Sequence, residues 1–164
     1  MAKNIVIELT DGRVMNAELY PELAPISVSN FIDLIKNNFF DNLIFHRIIE
    51  GFVIQGGGMY ENMEEKEKLK TIKGEFEANG WDKNKNLSHV SGVLSMARTP
   101  AYDSATSQFF ICVGDASFLD GQYASFGRLI DKDSIDIALK IASEKKDSND
   151  KPLNPIIIKT IKEA

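Results

Sequence analysis

Cysteine occurs once in the 164 residues, as Cys112, so no disulfide can close within the chain. Its apolar, strand-like setting points to a buried, unreactive thiol. Histidine occurs twice. His46 and Glu50 have a spacing that serves a metal only on a helix, and Ile48-Ile49 followed by Gly51 argues for strand and turn; no metal site is expected, and His46 is read as a structural residue of its strand. Basic residues are outnumbered, 19 Lys and Arg against 24 Asp and Glu, and the resulting −5 removes the positive field that recruits nucleic acid or anionic lipid. No apolar run approaches the roughly 18 residues of a membrane span, and Met1 to Thr10 lack the apolar stretch of a secretory signal. A cytoplasmic protein with neither membrane nor nucleic acid as partner is expected. No serine sits in a Gly-X-Ser-X-Gly elbow, and Gly56-Gly57-Gly58 lacks the Lys-Ser/Thr of a phosphate loop, so the glycines are read as a bend or bulge. Nothing implies a cofactor.

What remains is an ordinary globular composition, 43% hydrophobic and 26% charged, of a length suited to one domain over residues 1–164. Ile5, Ile7 and Leu9 alternate with polar neighbours, Asp11-Gly12 marks a two-residue hairpin turn, and Met15, Ala17 and Leu19 resume the alternation. From Pro25 the period becomes helical through Val28, Phe31, Leu34 and Ile35, stopping at Asn37-Asn38. Further strands are predicted at 44–48, 52–55, 90–96, 107–113, 125–130 and 155–161. A second helix runs through Ile135, Ala138, Leu139 and Ala142, capped by Asp133 or Ser134. The mixed-charge stretch 59–73 reads as a solvated loop. Many short strands with only two helices favour an all-β barrel with helical covers over a βαβ sheet.

Phe45 to Gly58 places a cation, Arg47, beside apolar side chains and an amide, Gln55. The turn at Glu50-Gly51 would bring Arg47 and Gln55 onto neighbouring strands facing one site. An arginine fork at the edge of an apolar pocket is a tool for polarising or anchoring, not for shuttling protons. The competing reading is a half-buried strand whose arginine reaches to water and whose glycines only bend the chain. A second stretch, Leu94 to Gly114, with Phe118-Leu119-Asp120-Gly121 and Phe126-Gly127, decides between them. Together the two stretches resemble the cyclophilin family of peptidyl-prolyl cis/trans isomerases, most strongly over Phe45 to Gly57 and Ser107 to Cys112, and more weakly from Ile5 to about Ile161.

The resemblance implies a closed eight-stranded antiparallel β-barrel with one helix closing each end, and a monomeric enzyme that rotates X-Pro bonds in peptides and in unfolded or folding proteins. It makes Arg47 the donor to the proline nitrogen, with Gln55 orienting substrate and arginine. Phe52, Val53, Phe110 and Leu119 become the walls of the proline pocket, with Met96 close by. Main chain near Ala97 and Arg98 pairs with the residues before proline, so the Arg98 side chain, where many relatives have Asn, is expected not to matter. Gln108 lines the adjoining groove. Phe118 and Tyr123 replace the Trp and His of the best-known eukaryotic relatives, and without the indole N–H cyclosporin is expected to bind only weakly. The runner-up is a proline-peptide binding or chaperone module with little turnover; retention of Arg47, Phe52 and Gln55 favours the enzyme.

Overall fold

In the computed structural model, which describes residues 1–164 apart from the side chain of Lys83, the alternating apolar residues build the first hairpin. Ile5, Ile7 and Leu9 of β1 (Lys3–Leu9) and Met15, Ala17 and Leu19 of β2 (Val14–Leu19) are all buried, with Ile5 opposite Ala17 and Ile7 opposite Met15. The connection is wider than Asp11-Gly12 suggests. It runs from Thr10 to Arg13, because Leu9 N–H donates to Arg13 O (2.9 Å) and the Asp11 carboxylate accepts from Arg13 N–H (3.0 Å).

The first helix, α1 (Pro25–Lys36), starts on Pro25, whose missing N–H costs nothing in the first turn, and stops at Asn37. Asn38 turns the chain away at φ +53°. No side chain at the helix's own start caps it. Glu75, fully buried, does so from a distant loop: Oε1 accepts from the Ser27 N–H (2.7 Å) and Oγ (2.8 Å), and Oε2 from the Ile26 N–H (3.1 Å). A carboxylate there meets both the unpaired donors and the positive end of the helix dipole. Glu75→Gln removes the charge and one acceptor and should cost about 1.5 to 3 kcal/mol in urea denaturation, the value of hydrogen bonds to a charged group. An unchanged midpoint would contradict the capping role.

Beyond α1 come β3 (Phe45–Ile49), β4 (Val53–Gly56), β5 (Val93–Met96), β6 (Phe109–Cys112), β7 (Ser125–Leu129), α2 (Lys132–Ala142) and β8 (Ile158–Glu163). The cap of α2 is Asp131, whose side chain accepts from Ser134 N–H (2.8 Å), rather than Asp133 or Ser134. The helix buries Ser134, Ala138, Ile141 and Ala142 and leaves Leu139 exposed, so its inner stripe is rotated from the expected one.

All strand pairings are antiparallel, in the order β3-β4-β6-β5-β7-β2-β1-β8. The ladder is a half-barrel, not the closed barrel expected. Edge strands β3 and β8 do not form a ladder; the seam is confined to their first residues and the chain just ahead of them, through an Ile44–Ile157 bridge and bonds from Phe45 N–H to Ile156 O (3.0 Å) and Ile158 N–H to Leu43 O (2.8 Å). Residues spent on that seam also delay β8, which starts three residues after the Pro155 expected from the sequence.

The sheet is apolar on both faces. Ile48, Ile54, Leu94, Phe109, Ile111 and Phe126 face the main core, where Phe31 of α1 packs against Phe40, Phe109 and Phe126 at centroid distances of 4.8 to 5.3 Å. Val53, Val93, Phe110 and Cys112 point the other way into a second, smaller cluster with Ala116, flanked by Phe52, Leu119 and Tyr123. Strand alternation makes this division. Loop 59–73 is tied down more closely than its charge suggests, with Tyr60, Leu69 and Ile72 packed on the main core and Lys66 Nζ donating to Phe39 O (2.6 Å) beside the Tyr60 and Phe39 rings.

Candidate active site

The second cluster forms the floor of a cavity of about 260 Å³. One row of residues crosses neighbouring strands to reach it: Arg47 on β3 stands opposite Gln55 on β4, Gln55 opposite Phe110 on β6, and Phe110 opposite Ser95 on β5. Two local features set this register. The tight turn through Gly51 (φ +76°) folds β3 back on β4, and an extra residue on β3, His46, puts Arg47 rather than His46 opposite Gln55. Just past the end of β4, Gly57 has φ +90°, and a Cβ there would lie 2.8 Å from the Phe109 ring. Only glycine fits.

Arg47 Nη1 donates to Gln55 Oε1 (3.4 Å), and Gln55 Nε2 to Gln108 Oε1 (3.1 Å), so the amides orient one another and leave most of the guanidinium facing the cavity. Arg47 makes no ion pair among the described residues. Apolar walls come from Phe52, Val53, Phe110 and Leu119, and Ala97, Arg98 and Tyr123 complete the rim. Gln108 lines a neighbouring groove of about 410 Å³ that shares Gln55, Ala97 and Arg98 with the cavity, and Lys68 and Leu69 of the charged loop also border it.

Two expected residues lie elsewhere. Met96, 2% exposed, belongs to the main core: Ser95 faces the cavity side, so its neighbours must face away. Phe118 is 71% exposed on the short 3-10 turn Ser117–Leu119, outside the cavity, and stacks on Phe52 (5.5 Å, 25°).

The sequence reading missed three features. The Arg98 side chain is tightly held: Nε and Nη2 donate to Gln122 O (3.1 and 2.6 Å), Nη1 to Thr99 O (3.0 Å), and the guanidinium carbon lies 4.5 Å from the Tyr123 ring centroid and 4.8 Å from that of Phe76. His89, fully buried, stacks on Phe110 (5.9 Å, 25°), and its Nδ1 meets Asp120 Oδ1 (2.8 Å) while Nε2 meets Ser95 Oγ (2.9 Å). Third, Ser95, His89 and Asp120 do assemble in the order of a nucleophilic triad. Ser95 is fully buried in the sheet beside Phe110, so no substrate carbonyl can reach its Oγ. The relay is structural, tying the pocket floor to the loop that carries Leu119 and Tyr123. A carboxylate only accepts, so His89 Nδ1 carries the proton and Nε2 accepts from the serine hydroxyl.

Burial holds the pKa of His89 below the ordinary 6.5 against the opposing pull of Asp120, and burial with the Arg47 charge does the same at His46. Burial also pushes the Cys112 thiol up to about 12, with Asp120 adding to it, as befits an unreactive thiol. At Asp120, burial opposes ionisation, but hydrogen bonds from Ser88 and His89 outweigh it and keep the pKa below the ordinary value. For a histidine whose pKa is lower folded than unfolded, the unfolded chain takes up protons first as pH falls, so stability is lost on going down through 6.5. The urea midpoint should therefore drop between about pH 7.5 and 5.5, and drop less in His89→Gln. A midpoint flat across that window would contradict buried, neutral histidines.

With this geometry in hand, comparison with known proteins is decisive. Residues 4–163 match the family of cyclophilin type peptidyl-prolyl cis-trans isomerase/CLD. The chain belongs to the cyclophilin family. A peptidyl-prolyl cis-trans isomerase of Acinetobacter baylyi is 45% identical over 146 residues, covering 85% of this chain and 73% of that protein. A cyclophilin type isomerase of Cryptosporidium parvum superposes with a TM-score of 0.80 at 28% identity, covering 100% of this chain and 98% of that one. A second structure of that protein, in the presence of the dipeptide Ala-Pro, gives 0.79, again at 28% identity, covering 99% of both chains. This cyclophilin is thus a peptidyl-prolyl cis-trans isomerase. No helix in it is long and apolar enough to cross a membrane, among the described residues.

Proposed function

We propose that residues 1–164 work as one isomerase domain in which the 260 Å³ cavity holds the proline ring of a peptide or of a folding protein, and Arg47 favours the twisted amide. Amide resonance sets a rotation barrier of about 18 to 20 kcal/mol, and only X-Pro bonds have a well-populated cis form. No bond is broken, so no nucleophile or metal is required. As the amide twists, its nitrogen regains a lone pair. A guanidinium aimed at that nitrogen binds the twisted state better than either planar one, and that difference lowers the barrier. The observation carrying this reading is an arginine with no ion pair among the described residues, at the rim of a cavity with apolar walls and steadied by one amide, Gln55.

Phe52, Val53, Phe110 and Leu119 then grip the ring, and backbone near Ala97 and Arg98 aligns the residues before it. Gln108, bonded to Gln55, reaches from the adjoining groove. The Ala-Pro dipeptide present with the Cryptosporidium protein is of the chemistry this cavity suits. A protease-coupled assay on an X-Pro peptide tests the proposal: catalysed exchange is expected, whereas tight binding without exchange would favour a proline-peptide binding module.

Phe118 stands where a donor to cyclosporin would be useful, and phenylalanine has none. Its exposed ring, stacked on Phe52, offers an apolar wall alone. Weak inhibition is expected, and Phe118→Trp should tighten it by roughly three- to tenfold, the worth of one hydrogen bond, more than it alters turnover. Equal inhibition constants for the two proteins would show that position 118 does not govern the drug.

A further inference from the structure

Arg47 is not the only cation at the cavity. Arg98 borders both the cavity and the adjoining groove, and no carboxylate lines the cavity with them. The groove contains one, Glu65, against Lys68 and Arg98. Nearby acids have other partners: Asp120 accepts from Ser88 and His89, and Asp103 from Gly74 and Asn79. Arg98 itself makes no ion pair among the described residues. Its partners are the carbonyl oxygens of Gln122 and Thr99 and the faces of aromatic rings, which fix the guanidinium without neutralising it. Three N–H groups are used in those bonds, and the two left of an arginine's five can meet a ligand. A pinned positive site thus stands out on a chain whose net charge is −5.

We propose that the Arg98 side chain selects substrates by charge, favouring X-Pro peptides with Asp or Glu at one of the two positions before proline. This inference rests on the isomerase reading, which places those positions beside Arg98, at the junction of cavity and groove. Salt limits the reach of one charge to about 8 Å at physiological ionic strength, so only a carboxylate close to the site is chosen. Because the guanidinium is already ordered by its carbonyls and rings, binding a carboxylate costs little further side-chain freedom.

The test compares kcat/KM for peptides identical except for Glu or Gln at each of the two positions before proline. At one of them the Glu peptide should exceed its Gln twin by roughly three- to tenfold at low salt, as one partly exposed charged hydrogen bond contributes. Added salt should shrink the ratio. Arg98→Gln should bring it to about one, and Arg98→Lys, which keeps the charge but not the fork, should retain part of it. A merely structural role would slow both peptides together and leave the ratio alone. Equal rates at both positions in the wild type, or a preference that survives Arg98→Gln or ignores salt, would overturn the proposal. No acceleration of any of the peptides would overturn the isomerase reading and this inference with it.

Discussion

Arg47→Ala is expected to lower kcat/KM for an X-Pro peptide by about a hundred- to a thousandfold, the range for losing one preorganised donor to charge that develops in the transition state. The fold should survive, because Arg47 is half-buried and its only side-chain hydrogen bond among the described residues is the one to Gln55. Most of the loss should fall on kcat, since the bond is made chiefly to the twisted amide. Arg47→Lys keeps a charge but replaces a rigid fork with a flexible stem, and should recover only a small part of the rate. The check is steady-state kinetics beside a melting curve for each variant. Near-wild-type activity in a folded Arg47→Ala protein would contradict the proposed mechanism.

Phe110→Ala should damage both binding and stability. The ring is buried, stacks on His89 and meets Tyr123 edge-on (5.6 Å, 84°), so truncation removes the cavity floor and the support of two neighbours. Large-to-small changes at a buried phenylalanine cost about 3 to 5 kcal/mol. For a chain of this length that is a fall of roughly 6 to 20 °C in Tm. The KM for an X-Pro peptide should rise as well, because the apolar surface holding the proline ring is gone. Phe110→Leu keeps apolar bulk and separates the effects: it should restore most of the Tm but not all of the binding. A Phe110→Ala protein with unchanged KM would place the proline elsewhere.

Some of this was legible in the residues and some could not be. Arg47 and Gln55 were, because a turn residue at Gly51 and the two-residue period of strands place them on neighbouring segments. The extra residue at His46, which aligns the pair, leaves no mark in the hydrophobic pattern. The resemblance puts Met96 close to the pocket, whereas the side chain sits in the main core; Val93, Leu94, Ser95 and Met96 are all buried, so the strand's own pattern shows no polar side that could have corrected the expectation. The seam between β3 and β8 escaped too, since a lone bridge at Ile44–Ile157 looks no different in sequence from a full strand pairing. Arg98 and the Ser95, His89 and Asp120 relay are non-local. Phe76 and His89 come from the long connection between β4 and β5, Asp120 and Tyr123 from that between β6 and β7, and no spacing along the chain announces that the two connections meet. The helix caps show the same limit: Asp131 is local and could have been found, whereas Glu75 comes from a distant loop.

The measurement that bears most directly on the central claim is exchange NMR of an Ala-Pro peptide, with the wild-type chain and Arg47→Ala compared side by side. The account predicts cis–trans exchange cross-peaks with the wild type, and their loss in the variant while peptide-induced shift changes at Phe110 and Leu119 persist. Exchange undiminished in Arg47→Ala, or absent with the wild type despite those shift changes, would contradict it.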